Sequence, residues 1–174
     1  MTEKSLMWSG TLTGDAGAYS DDDWSDMFRK MFLYDRTTQG IFKNLDNALE
    51  VTGVASPVSM ASGGALVDGK FYENTAALGV AVSTPAASTR IDRLVLRKNW
   101  AAQTVRATLI AGVEGGAAPA ITQTDGTTWD IKLAQISIVT GGTITVTDER
   151  DFLYQLGEAI SEVEAIAFAM ALGG

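Results

Sequence analysis

Two aspartates, Asp92 and Asp130, and one tryptophan, Trp100, are the side chains of this sequence best suited to act on or hold another molecule. A pair of carboxylates either side of a glycosidic bond is the machinery of polysaccharide hydrolysis. An aromatic ring in a surface connection offers a face on which a sugar can stack. Composition closes most other routes. The 174 residues include no cysteine and no histidine, which removes thiol nucleophiles, disulfides, the commonest metal ligand and the commonest general base. No Gly-x-Gly-x-x-Gly, P-loop or Gly-x-Ser-x-Gly pattern occurs, and no serine stands in a nucleophile context. The sequence reads as a non-enzyme, with no catalytic residues, no cofactor and no metal.

The carboxylates themselves favour structural roles. Asp21, Asp22, Asp23 and Asp26 sit at neighbouring helical positions, so they point around the axis instead of converging as calcium ligands must. Asp148-Glu149-Arg150-Asp151 suits the positive end of a following helix. In Arg90-Ile91-Asp92-Arg93, strand alternation puts Asp92, Leu94 and Leu96 on one face and Ile91, Arg93, Val95 and Arg97 on the other. A carboxylate among leucines needs a partner, because an unpaired buried charge is expensive. Arg106 or Arg150 can supply it, so Asp92, Arg93, Arg106 and Arg150 are expected to form a brace. Of the tryptophans, Trp24 and Trp129 are expected in the core, while Trp100, in a hairpin connection, is the candidate glycan contact.

Periodicity gives the scaffold that carries these residues. Ser20 can cap a helix with Asp23 at the capping-box position. Behind it Trp24, Met27, Phe28, Met31 and Phe32 fall at i, i+3, i+4, i+7 and i+8, an apolar stripe on a helix reaching Tyr34 that demands a docking surface. From Ile41 the pattern becomes strand-like, with runs at 48–54, 58–61, 65–67, 70–74 and 78–82. Asp68-Gly69 marks a type I′ hairpin. Runs 90–97 and 104–110 form a second hairpin around 98–103, and runs 129–139 and 143–147 a third around Thr140-Gly141-Gly142. Residues 114–126 read as a loop, and Gly63-Gly64 and Gly115-Gly116 as turn glycines. The fold class is therefore mainly β, an antiparallel β-sandwich or small barrel.

Helical periodicity returns after Asp148. Leu153, Leu156, Ile160, Val163, Ala167 and Met170 are spaced 3, 4, 3, 4, 3, a heptad seam whose β-branched members favour three strands over two. The alternative is a helix that packs back on its own domain. Three parts result: an N-terminal arm and amphipathic helix (1–38), a β body (39–150) and a coiled-coil-like oligomerisation helix (151–174). The chain is expected to be a homotrimer. A formal charge of −8 argues against nucleic acid as a partner. No apolar run approaches the length that spans a bilayer, so no membrane insertion is expected.

The order of several short motifs carries a resemblance. Gly14-Asp15, Tyr19-Ser20, Asp23-Trp24 and Phe28 are followed by Gly40-Ile41-Phe42 and Leu49-Glu50-Val51. Then come Gly64 through Asn74, Arg90 through Arg97, Trp129 through Gln135, and Asp148-Glu149-Arg150. Together they resemble the N-terminal module of tailed-bacteriophage and prophage tail fibre, upper baseplate and receptor-binding proteins, over residues 14–150. The resemblance implies a β-sandwich-like module that docks onto a virion and hands over through a helix to a more distal segment. It implies a protein made in the host cytoplasm, located in the tail or baseplate, and partnered by other phage virion proteins. The chain stops about twenty residues into the helix, so the expectation is an adaptor, anchor or short fibre without a distal adhesin. A host-recognition module binding surface glycan through Trp100, and a capsid-mounted fibre or decoration protein, are the alternatives.

Overall fold

The computed structural model describes residues 23–27 and 39–153. Residues 23–27 are helical, inside the helix expected from Ser20 to Tyr34. Phe28, Met31 and Phe32, and the seam positions Leu156, Ile160, Val163, Ala167 and Met170, lie outside the described residues.

Among the described residues the chain is mainly β. The strands are β1 (Gly40–Phe42), β2 (Val51–Thr52), β3 (Val58–Met60), β4 (Gly63–Val67), β5 (Lys70–Asn74) and β6 (Leu78–Val80) in the first half. The second half holds β7 (Arg90–Asn99), β8 (Thr104–Ile110), β9 (Gln123–Thr124), β10 (Thr128–Ile138), β11 (Ile144–Asp148) and β12 (Phe152–Leu153). They form three sheets: β12-β1-β4-β5, then β11-β10-β7-β8 with β9 added on β10, and β2-β3-β6. The three share one core, in a layered, sandwich-like arrangement. Leu94, Leu96, Leu133, Ile136 and Ile138 of the largest sheet meet Ile41, Ala65 and Val67 of the first and Val51, Val58 and Met60 of the third.

The long central pair β7 and β10 forms because both run with period 2 over ten or more residues. Lys132-Leu133-Ala134 breaks that period in β10, and the register shifts there. The bulge lets Ile131 and Leu133 on one side and Ala134, Ile136 and Ile138 on the other all reach the core. The Asp68-Gly69 turn has positive φ at both residues, 43° and 74°, as a type I′ turn requires. The run expected at 48–54 shrinks to Val51–Thr52, because Asp46, Ala48 and Leu49 hold φ of 51°, 50° and 56°. In that turn the Asn47 and Leu49 N–H groups both donate to the Ser62 carbonyl, at 3.2 Å each.

Three expectations need correction. Gly63 and Gly64 are not turn residues: they begin β4, buried, against the backbone of Ala48 and Leu49 and the side chain of Leu45. The sheets are not wholly antiparallel, since β12 pairs with β1 in parallel, Ile41 beside Phe152 and Phe42 beside Leu153. Leu153 therefore belongs to a strand and not to a helical seam. It is 7% exposed and packs with Leu66 and Phe42 in a small second cluster on the outer face of the first sheet.

Candidate functional site

Asp92 points toward the core face of β7 and is completely buried. Its partner is neither Arg106 nor Arg150 but Arg90, two residues earlier on the same face. The Arg90 guanidinium donates to both carboxylate oxygens, at 2.7 and 2.9 Å, and the Gly112 N–H donates at 2.9 Å. The bond to Asp92 raises the Arg90 pKa still further. Arg90 also reaches the Ser83 carbonyl at 2.8 Å, so the group ties β7 to the chain on both sides of it. Arg106 instead donates to the Val105 carbonyl at 2.7 Å. Arg150 donates to the Ala48 carbonyl at 2.9 Å, pairs with Asp148 and lies 5.1 Å from the centre of the Phe152 ring.

Asp130 is also completely buried, but on the opposite face of the same sheet, since it stands across from Arg97 in the β7–β10 register. Arg97 holds it at 2.7 and 2.8 Å, and the Thr122 N–H adds a third bond at 3.0 Å. Arg93 shares that face and pairs with Glu149 at 2.8 and 3.1 Å, while its guanidinium also donates to the Pro119 carbonyl. These bonds draw residues 119–123 over the sheet. The geometry disposes of a paired-carboxylate site built from Asp92 and Asp130. The two acids lie on opposite faces and each is saturated by an arginine, so they cannot flank one bond.

Glu114, in the connection after β8, was not legible as a site. Its carboxylate accepts the N–H groups of Ala86, Ala87 and Ser88 at 2.8, 2.8 and 3.0 Å. Those backbone bonds hold its pKa below the ordinary value. Glu149 is also lowered: burial opposes the shift, but the bonds from Arg93 and Gln135 and the nearby positive charges outweigh it. Asp148 is lowered chiefly by its bond to Arg150. A carboxylate whose pKa falls on folding stabilises the fold above its unfolded value and loses that contribution as pH falls through the folded one. Stability is therefore expected to be flat near neutrality and to fall as pH drops through about 4.3, where free glutamate is half protonated. Urea midpoints at pH 7 and pH 3 measure this. Glu114→Gln should show a smaller acid loss than the parent chain, and an equal loss would count against the clamp.

The third feature is an open pocket of about 450 Å³ where the β7–β8 hairpin meets β5. Trp100 and Phe71 supply aromatic walls, and Asn99, Gln103 and Thr104 supply polar ones. Lys98 sets the indole in place. It is 3% exposed, its ammonium lies 3.8 Å from the centre of the Trp100 ring, and it pairs with Asp68 at 2.7 Å. The Trp100 backbone N–H donates to the Thr127 carbonyl at 3.2 Å, and the Trp100 carbonyl accepts from the Gln103 backbone N–H at 3.3 Å.

Trp129 packs against the core as expected, with its indole N–H bonded to the Gln39 side chain. Trp24 does not: it is 38% exposed, and in residues 23–27 the buried side chain is Ser25, which lies against Gly69. No helix among the described residues is long and apolar enough to cross a membrane.

No family model matches the chain, and no curated protein sequence matches it. Among solved structures it is similar to the gene 22 product of the Bacillus subtilis phage SPP1. The identity is 15% and the TM-score 0.42, over 61% of this chain and 80% of the phage protein.

Proposed function

We propose that this protein is a structural component of a tailed-bacteriophage virion, a self-assembling connector at the tail or baseplate that anchors a fibre. The observation that carries the reading is the parallel pairing of β1 with β12. In a parallel pair the chain enters one strand and leaves the other at opposite ends. The segment before Gln39 and the segment after Leu153 thus leave this two-residue pair in opposite directions. Segments that depart in opposite directions suit a link between two neighbours. The ordered motifs over residues 14–150 that resemble tail fibre, upper baseplate and receptor-binding proteins support the same role. So does the heptad spacing of Leu156, Ile160, Val163, Ala167 and Met170, a pattern that suits association of copies. The saturated carboxylates suit a scaffold better than a catalyst.

The test is light scattering of the full chain beside a chain ending at Leu153, which keeps β12 intact. The full chain is expected to run as a trimer, and truncation to lower the mass about threefold. A monodisperse monomer at micromolar concentration, with truncation changing nothing, would sink the assembly reading. Electron microscopy of the particle with the protein labelled then distinguishes tail or baseplate from a capsid-mounted fibre.

A further inference from the structure

We infer that the pocket beside Trp100 is a binding site for a neutral saccharide. The inference stands independently of the connector role. Its volume, about 450 Å³, is in the range of small-molecule sites, and its lining has the mixture such sites share, apolar walls with a few convergent polar groups. Each group can be given a part. Trp100 offers a flat ring that rests on the Lys98 ammonium by one face, and backbone bonds on its main-chain N–H and carbonyl hold the turn that carries it. A ring already seated on a buried side chain loses less freedom than a free one when a ligand stacks on it. Phe71, 56% exposed, is a second apolar wall.

Polar recognition falls to Asn99, Gln103 and Thr104. The Asn99 side-chain oxygen accepts the Ala102 N–H at 2.9 Å, which leaves its amide NH2 with no acceptor among the described residues. The Gln103 side chain and the Thr104 hydroxyl likewise make no protein bond among them. Gln103 is also held at φ 52°, a conformation uncommon for a residue with a side chain. Such local strain gathers where backbone is committed to a function. Amides and a hydroxyl that can both donate and accept match the hydroxyl groups of a sugar ring. Two lysines line the pocket and both are engaged: Lys98 is bound to Asp68, and Lys70 has an interaction of its own. A chain of charge −8 also disfavours anionic ligands. Both point away from nucleotides and acidic sugars.

A glycan array carrying neutral oligosaccharides, with hexuronate oligomers beside them, tests the assignment on the full chain. A neutral oligosaccharide is expected to bind, and titration of that oligosaccharide should weaken at least about tenfold in Trp100→Ala. Gln103→Ala, at an exposed turn position, should weaken it several-fold with the melting temperature unchanged, and this variant decides the matter if Trp100→Ala unfolds. Absence of binding to any array member, binding of hexuronate oligomers alone, or affinity unmoved by Gln103→Ala and a folded Trp100→Ala would each overturn it.

Discussion

Replacing Asp92 with alanine is expected to destabilise the fold by about 3–5 kcal/mol, the cost of stranding the partner of a buried ion pair. The carboxylate is wholly buried and receives three hydrogen bonds. Without it the Arg90 guanidinium, 13% exposed, keeps its hydrogen bonds to Ser83 and the more distant charge of Glu114, and the Gly112 N–H loses its acceptor. On thermal melting the midpoint should drop by about 10 °C or more. Arg90→Ala leaves the opposite charge stranded and should cost a similar amount. Changing both, Asp92→Leu with Arg90→Met, should cost less than either single change, because a well-packed apolar pair often replaces a buried ion pair without loss. Leu94 on the same face and Ile136 across the strand make the surroundings suitable. A loss below about 1 kcal/mol for Asp92→Ala, the value typical of surface pairs, would show that the brace contributes less than its burial implies.

The second large effect is expected at Gly63. A Cβ there would lie 2.5 Å from the Leu49 nitrogen and 3.0 Å from the Ala48 carbonyl carbon and Cα. Those are backbone atoms, which cannot rotate aside, and φ at Gly63 is 151°. Gly63→Ala should therefore cost about 3 kcal/mol, from overpacking and backbone strain together. Gly126 provides the control, since its φ is 73° but a Cβ would meet nothing within 4 Å. Gly126→Ala should cost only the conformational part, about 1 kcal/mol. Denaturant unfolding of the two variants separates crowding from conformation, and equal costs would mean that the Gly63 contact yields.

Gly63 also marks where the sequence stopped being readable. A Gly-Gly pair between two strand patterns has the look of a turn, and nothing local reveals that another turn, 45–50, will be pressed against it. The strands that were legible, β5, β7, β8, β10 and β11, alternate over five or more residues and end in recognisable turns. The short strands divide: β3 and β6, three residues each, fall inside the expected runs 58–61 and 78–82, whereas β1, β9 and β12, of two or three residues, lie outside every expected run. A strand that short has no period, and its pairing is decided by distant contacts. Phe152-Leu153 suffered twice, because Leu153 stands three residues before Leu156 and so completes a heptad by spacing alone. For Asp92 the face was correct and the partner wrong. The same alternation that set Asp92 beside Leu94 also set Arg90 there, and that signal was sufficient to find the pair. That Trp100 lies outside the core was readable because it interrupts a hairpin, where a large aromatic has no core to fill. Phe71, its companion wall, arrives from β5 and could be joined to it only in three dimensions.

The β1–β12 pairing has a mechanical consequence. If the segments on either side of the body are pulled apart, β1 is drawn backward from Gln39 and β12 forward from Leu153. Two parallel strands drawn in opposite directions slide along each other, so the hydrogen bonds between them, including that from the Ile41 N–H to the Asp151 carbonyl at 2.8 Å, are strained together. An antiparallel pair with both loads at one end would open like a zip, bond by bond. This body meets tension in shear, the direction in which even a short strand pair resists most.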